Sequence, residues 1–218
     1  LTGCQNQKSS VYNVGGEVAT SSISPSDQMK NRLLQLEDDG IKEAIHIGES
    51  LTKSNSNDFS SKYLLPVLHN NISGKFSKEL QPEVLFTTNY YKIVEKSFEK
   101  FQKFDKLSFE DAKRETNNLF MQFRLTTYGD GVTMAGRFYC VLKQGDIVIK
   151  PFNDRLIGAD GLSSNSSNWP KFPAYTKQLV AMFTDIDELN FSEPAELIFL
   201  YDGKEESVTY DLDFSKYN

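Results

Sequence analysis

Hydrophobic positions along the chain follow two regimes. Up to about residue 118 they recur mainly at three- and four-residue spacing; from residue 120 they alternate. Pro25-Ser26-Asp27 reads as a helix start, and Met29, Leu33 and Leu36 follow on one face. Gly40 is expected to break this helix. Ile41, Ala44, Ile45 and Gly48 then resume the pattern until Leu51. Tyr63–Leu68 is apolar but holds Pro66, so its state is ambiguous, whereas Val84–Thr87 reads as a short strand. Tyr91, Val94, Phe98, Phe101 and Phe104 form the apolar face of an amphipathic helix, and their aromatic stripe reads as core. Ser108, with Asp111 three residues on, caps a shorter helix through Phe109, Ala112, Thr116 and Leu119.

The second half reads as strands. Met121, Phe123, Leu125 and Thr127 alternate with polar residues up to a turn at Gly129-Asp130-Gly131. Phe138, Cys140 and Leu142 repeat the alternation, and Gln144-Gly145-Asp146 turns into Ile147–Ile149 as a hairpin. Residues 153–177 are irregular, and a further strand is expected over Leu179–Asp187. Leu197, Phe199 and Tyr201 lead to Asp202-Gly203, a two-residue hairpin signal. Val208, Tyr210, Leu212 and Phe214 return on one face, with Thr209, Asp211 and Asp213 on the other. Five or six antiparallel strands, each with a buried and a wet face, predict an Ig-like β-sandwich. The expected fold is α+β. A helical segment over 27–118 packs on an antiparallel sandwich over 119–218, and a polar stretch over 1–26 precedes both.

That polar stretch opens on Leu1-Thr2-Gly3-Cys4, which resembles the lipobox of bacterial membrane lipoproteins: an aliphatic residue, two small residues and a cysteine. The resemblance implies that Cys4 carries a diacylglycerol and that the three residues before it belong to a removed signal. Residues 5–26 are rich in Gln, Asn, Ser, Thr and Gly and read as a flexible tether with a reach of roughly 25 Å. Two acyl chains hold a protein stably on a bilayer. The resemblance therefore implies a lipid-anchored protein at the cell membrane, facing outside the cytoplasm. From Thr88-Asn89-Tyr90-Tyr91, through Thr127-Tyr128-Gly129-Asp130, to Asp211-Leu212-Asp213-Phe214-Ser215, the chain also resembles hypothetical lipoproteins of low-GC Gram-positive bacteria. That likeness brings no known activity.

Composition narrows the function classes. The net charge of −6 argues against nucleic acid, whose phosphates need clustered Lys and Arg, and against an electrostatic grip on anionic lipid. No run approaches the ~20 apolar residues of a transmembrane helix. With Cys4 lipidated, Cys140 has no disulfide partner and reads as a small buried hydrophobe. His46 and His69 lack framing ligands at zinc spacing, so no metal site and no cofactor is expected.

Candidate chemistry is sparse. Gly161-Leu162-Ser163-Ser164-Asn165 lacks the closing glycine of a nucleophile elbow, and no phosphate loop is present. Two acidic pairs, Asp185 with Asp187 and Asp211 with Asp213, can serve as acid–base or calcium groups, or simply as solvated faces. The long stretch over 153–177 holds Trp169, Phe172 and Tyr175 among prolines. Long loops in compact domains tend to be functional or disordered, and rings among prolines present a preformed contact for a peptide or glycan; equally, they pin a loop to its core. The reading is a non-enzymatic binding or interaction module of the cell envelope, with Trp169, Phe172 and Tyr175 as contacts. The alternatives are a solute-binding lipoprotein, which requires a pocket between layers, and an envelope hydrolase using paired aspartates.

Overall fold

The computed structural model describes residues 23–74, 78–116, 119–201 and 205–217. Cys4, the tether up to residue 22 and the Asp202-Gly203 turn lie outside the described residues.

Helix α1 (Pro25–Leu34) starts where Ser24 Oγ accepts the Asp27 N–H at 3.1 Å and Pro25 occupies the first turn, so the helix begins just inside the stretch read as tether. The break after it falls at residues 35–37, not at Gly40. Helix α2 (Asp38–Ser50) restarts on Asp38 and Asp39, whose charges suit a helix N-terminus, and Gly40 lies within its first turn. Helix α3 (Ser56–Ser61) is short. Helix α4 (Asn89–Phe101) is capped by Thr88, and α5 (Phe109–Glu115) by Ser108 as its sequence predicts. Buried Asn89 donates its side-chain amide to the Leu34 carbonyl at 2.6 Å and the Thr116 carbonyl at 3.3 Å. One side chain thus satisfies carbonyls at the ends of α1 and α5, groups a helix cannot pair internally. Ile41, Ala44, Ile93, Val94, Leu107 and Ala112 form a small core among α2, α4 and α5. The aromatic stripe departs from expectation: Phe98 is half-buried, Phe101 is 42% exposed and Phe104 fully exposed. Ile93 and Ser97 take the buried face instead.

The strands form two antiparallel sheets. One runs β1 (Val67–Asn70), β9 (Ser207–Leu212), β8 (Ala195–Leu200), β4 (Tyr139–Gln144), β5 (Ile147–Ile149). The other runs β2 (Glu83–Phe86), β3 (Met121–Gly129), β7 (Tyr175–Phe183), β6 (Ser164–Asn165). The alternating buried positions of both sheets meet in one core with Leu33, Leu34, Tyr63 and Tyr91 from the helical side. The fold is therefore α+β, with helices packed against paired antiparallel sheets.

Three features differ from the sequence pattern. The 27–118 stretch is not wholly helical, because it supplies β1 and β2, one strand to each sheet. These strands have four residues each, too few for alternation to stand out, and Pro66 is tolerated because it lies just before β1, an edge strand. Strand β7 begins at Tyr175 and ends at Phe183, short of Asp187, because it pairs along the whole length of β3 from Met121↔Phe183 to Gly129↔Tyr175. The stretch over 153–177 is also less irregular than it reads. Ile157 exchanges both backbone hydrogen bonds with Val180, at 2.8 and 3.0 Å, and β6 pairs with β7.

Helix α4 is tied to the second sheet by an ion pair on the half-buried face of β3. There Arg124 of β3 grips Glu95 through two parallel hydrogen bonds of 2.7 Å, and the Tyr91 hydroxyl donates to the same carboxylate.

Candidate functional site

The Trp169 loop is held by its own backbone. The Ser166 N–H donates to the Ala174 carbonyl at 2.9 Å, and Ser166 Oγ donates to the Pro173 carbonyl. The Asn168 N–H donates to Ser166 Oγ at 3.1 Å, and the Trp169 and Lys171 N–H groups close turns onto Ser166 and Asn168. The three aromatic residues then take different positions. Tyr175 is half-buried against the main core at the start of β7, and Phe172 is half-buried. Trp169 is 53% exposed. Beside the loop lies a polar groove of about 320 Å³, walled by Gln81, Glu83, Tyr128, Ser167 and Asn168.

The acidic pairs have structural partners. Asp187 pairs with Lys30 of α1, which holds its carboxyl below the usual range. Asp213 accepts from Ser215 Oγ and the Ser215 N–H, capping the 3-10 turn Phe214–Lys216; these bonds lower its pKa. Lys216 bridges Asp211 at 2.9 Å and Asp213 at 3.6 Å. A general acid needs a raised pKa, and the shifts at Asp187 and Asp213 run the other way. Asp185 is exposed. Among the described residues no three His, Cys, Asp or Glu side chains gather as a metal-binding group. His46 lies on α2 and His69 on β1, both exposed. Cys140 is fully buried, and burial pushes its thiol well up. Ser163 Oγ is buried with no hydrogen-bond partner among the described residues.

Two features escape sequence reasoning. The first is Lys92 of α4. Its ammonium sits 4.8 Å from the centre of the Phe120 ring, and burial pushes its pKa down to about 8 against the opposing pull of Glu115. The second is a cleft of about 640 Å³ at the seam between the two cores. Phe59 and Tyr90, which pack against both cores, line it together with Tyr63, Leu36 and Ile47. Behind these walls Tyr63 meets Phe59 at 5.3 Å and Tyr91 edge-on at 4.9 Å. The Tyr90 hydroxyl donates to Glu43 at 3.5 Å and is pushed up to about 12 by burial and then by that carboxylate. Arg32, Lys62 and Lys216 also line the cleft. These residues come from α1, α2, the α3 region, α4 and the last turn of the chain, so no local pattern announces them. A larger opening of about 730 Å³ runs along α1 between Asp27, Lys30, Leu119 and Asp187, but Lys30 and Asp187 neutralise each other across it.

No helix among the described residues is long and apolar enough to cross a membrane. No family model, curated protein or solved structure matches this chain.

Proposed function

We propose that this chain is the body of a lipid-anchored cell-envelope protein, a non-enzymatic binding module displayed outside the cytoplasm. Cys4 carries the lipid, the following polar residues tether the body to the bilayer, and the Trp169 loop is the contact surface. The observation that carries this reading is Trp169, a 53% exposed indole on a loop whose backbone is hydrogen-bonded into a fixed shape. A large ring held in water by an ordered loop spends little conformational entropy on binding, which is the property of interface anchors. The groove beside it offers amide, hydroxyl and carboxylate side chains. An indole face with such groups alongside suits a sugar ring, so an envelope glycan is the proposed partner. Tyr175, packed on the main core, anchors the loop at the start of β7, and half-buried Phe172 is the second contact residue.

Trp169 is the chain's sole tryptophan, so its fluorescence reports the contact directly. Titration with cell-wall glycan fragments is expected to shift its emission. Trp169→Ala should weaken binding at least tenfold, about 1.4 kcal/mol, without lowering the melting temperature. Unchanged binding together with a lowered melting temperature would make the ring a structural pin. Cys4→Ala in cells should move the protein from the membrane to the soluble fraction; persistence in the membrane fraction would sink the anchor.

A further inference from the structure

We infer that the end of helix α4 is a membrane contact of its own, a knob of two phenylalanine rings and two lysines that dips into an anionic lipid surface. It adds to the lipid on Cys4 and depends neither on that lipid nor on the Trp169 loop. Phe101, the last residue of α4, is 42% exposed, and Phe104, just beyond it, is fully exposed. A phenylalanine covers roughly 150–250 Å² when buried, so two such rings leave a large apolar area in water. Phe104 is held there at φ 59°, a conformation that glycine takes without strain. A ring kept at a strained position with nothing packed on it points to a use outside the fold.

The backbone beneath the rings suits apolar surroundings. The Gln102 N–H donates to the Phe98 carbonyl at 3.0 Å, and the Lys103 N–H to the Lys100 carbonyl at 2.9 Å. The Phe104 N–H donates to the Phe101 carbonyl at 3.1 Å, and the Asp105 N–H to the Lys100 carbonyl at 3.0 Å. These bonds occupy carbonyls that a helix end otherwise leaves to water, which a bilayer interior cannot supply.

Charge selects the surface. From Glu99 to Lys106 the chain carries three lysines against two carboxylates, in a protein whose net charge is −6. Lys100 is taken by Asp105 at 2.9 Å. Lys103 and Lys106 are exposed, and neither has a carboxylate within ion-pair distance among the described residues. Their stems can lie along apolar surface while the ammonium groups stay with lipid phosphates. Charges more than about 8 Å away are screened at physiological ionic strength, so a headgroup touching the rings meets these lysines and not the net charge of the body.

The test uses the full chain with Cys4→Ala, so that no lipid of its own contributes. It should sediment with vesicles of mixed phosphatidylglycerol and phosphatidylcholine, and more weakly with phosphatidylcholine alone. Phe104→Ser should weaken binding to the mixed vesicles about tenfold without lowering the melting temperature, since the ring is fully exposed. Lys103→Glu with Lys106→Glu should weaken it about tenfold or more. Phe104→Trp in a Trp169→Phe background gives a single indole at the knob, whose emission should shift to the blue on vesicles and be quenched by brominated acyl chains. Failure of the Cys4→Ala chain to sediment overturns the contact, and a dimer in solution that Phe104→Ser dissolves would then assign the rings to a second copy. Full binding by folded Phe104→Ser, or an indole that stays unquenched, moves the contact elsewhere. Equal binding to both kinds of vesicle overturns the selection for anionic lipid.

Discussion

Phe104 stands where helix chemistry calls for glycine. The Asp105 N–H returns to the Lys100 carbonyl and the Phe104 N–H to the Phe101 carbonyl, the paired bonds of a Schellman ending, with Phe104 at φ 59°. A side chain in the left-handed region costs roughly 1–2 kcal/mol, and Phe104, at 103% relative exposure, recovers none of that by packing. Phe104→Gly should therefore stabilise the protein by about 0.5–1 kcal/mol, read as a higher urea midpoint with an unchanged slope; a lower midpoint would show that the ring packs in solution. Lys92 makes a second prediction at this scale. Its folded pKa, about 8, lies below the ordinary lysine value of 10.5. Between those values the unfolded chain binds more protons than the native one, so stability rises with pH. Below pH 8 the cost of the buried ammonium is fully present, and above about 10.5 it is gone. Lys92→Met should flatten that rise and add roughly 1–2 kcal/mol at pH 7, after discounting for the partial exposure of the group. A pH–stability curve that keeps its rise in the variant would assign the titration to another group.

At the scale of elements, α2 and α4 meet at a glycine. A Cβ added to Gly48 would stand 2.5 Å from Ser97 Cβ and 2.5 Å from the Val94 carbonyl oxygen, closer than atoms approach. The closeness also lets Ser97 Oγ reach the Ile45 carbonyl at 2.9 Å. Gly48→Ala must push the helices apart, and overpacking of about 1–3 kcal/mol outweighs the ~1 kcal/mol that alanine gains in helix propensity. The net loss should be about 1 kcal/mol or more. Gly40→Ala in the same helix is the control and should stabilise slightly, because an added Cβ there has room. If both substitutions stabilise, the helices are not in close contact. The two glycines look alike in sequence, and reading Gly40 as a break was wrong because nothing local distinguishes a glycine that ends a helix from one that merely sits in it. The caps were legible: Ser108 reads as a helix start because its hydroxyl and the Asp111 N–H are three residues apart, wherever the helix then packs.

For the whole molecule, the two halves of the chain are not independent. Strand β2 pairs with β3 from Glu83↔Thr126 to Phe86↔Phe123, and β1 pairs with β9 near the end of the chain. Phe86, Tyr63, Leu33 and Leu34 complete the core between the sheets. A fragment of residues 119–218 would expose an edge of each sheet and lose those side chains. It should show no cooperative thermal transition, whereas the full chain should unfold in one. A sharp transition in the fragment would make the sandwich an autonomous unit.

The sequence by itself determined which face of the long strands and of α2 is buried. The alternation in Met121–Gly129 and Ser207–Leu212 and the helical spacing around Ile41 report side-chain direction, which is a local property of the backbone. It also marked the Trp169 loop, because tryptophan among prolines is a local composition. Only the tertiary structure decided which partners meet. Tyr175–Lys177 became strand because β3 offers them a ladder, and Phe101 and Phe104 were left in water because the small core closes over Ile93, Val94 and Ser97. Arg32, Lys62, Tyr90 and Lys216 line one cleft although they are scattered over the chain. A periodic pattern records that a face is apolar; it holds no record of the distant surface that covers it.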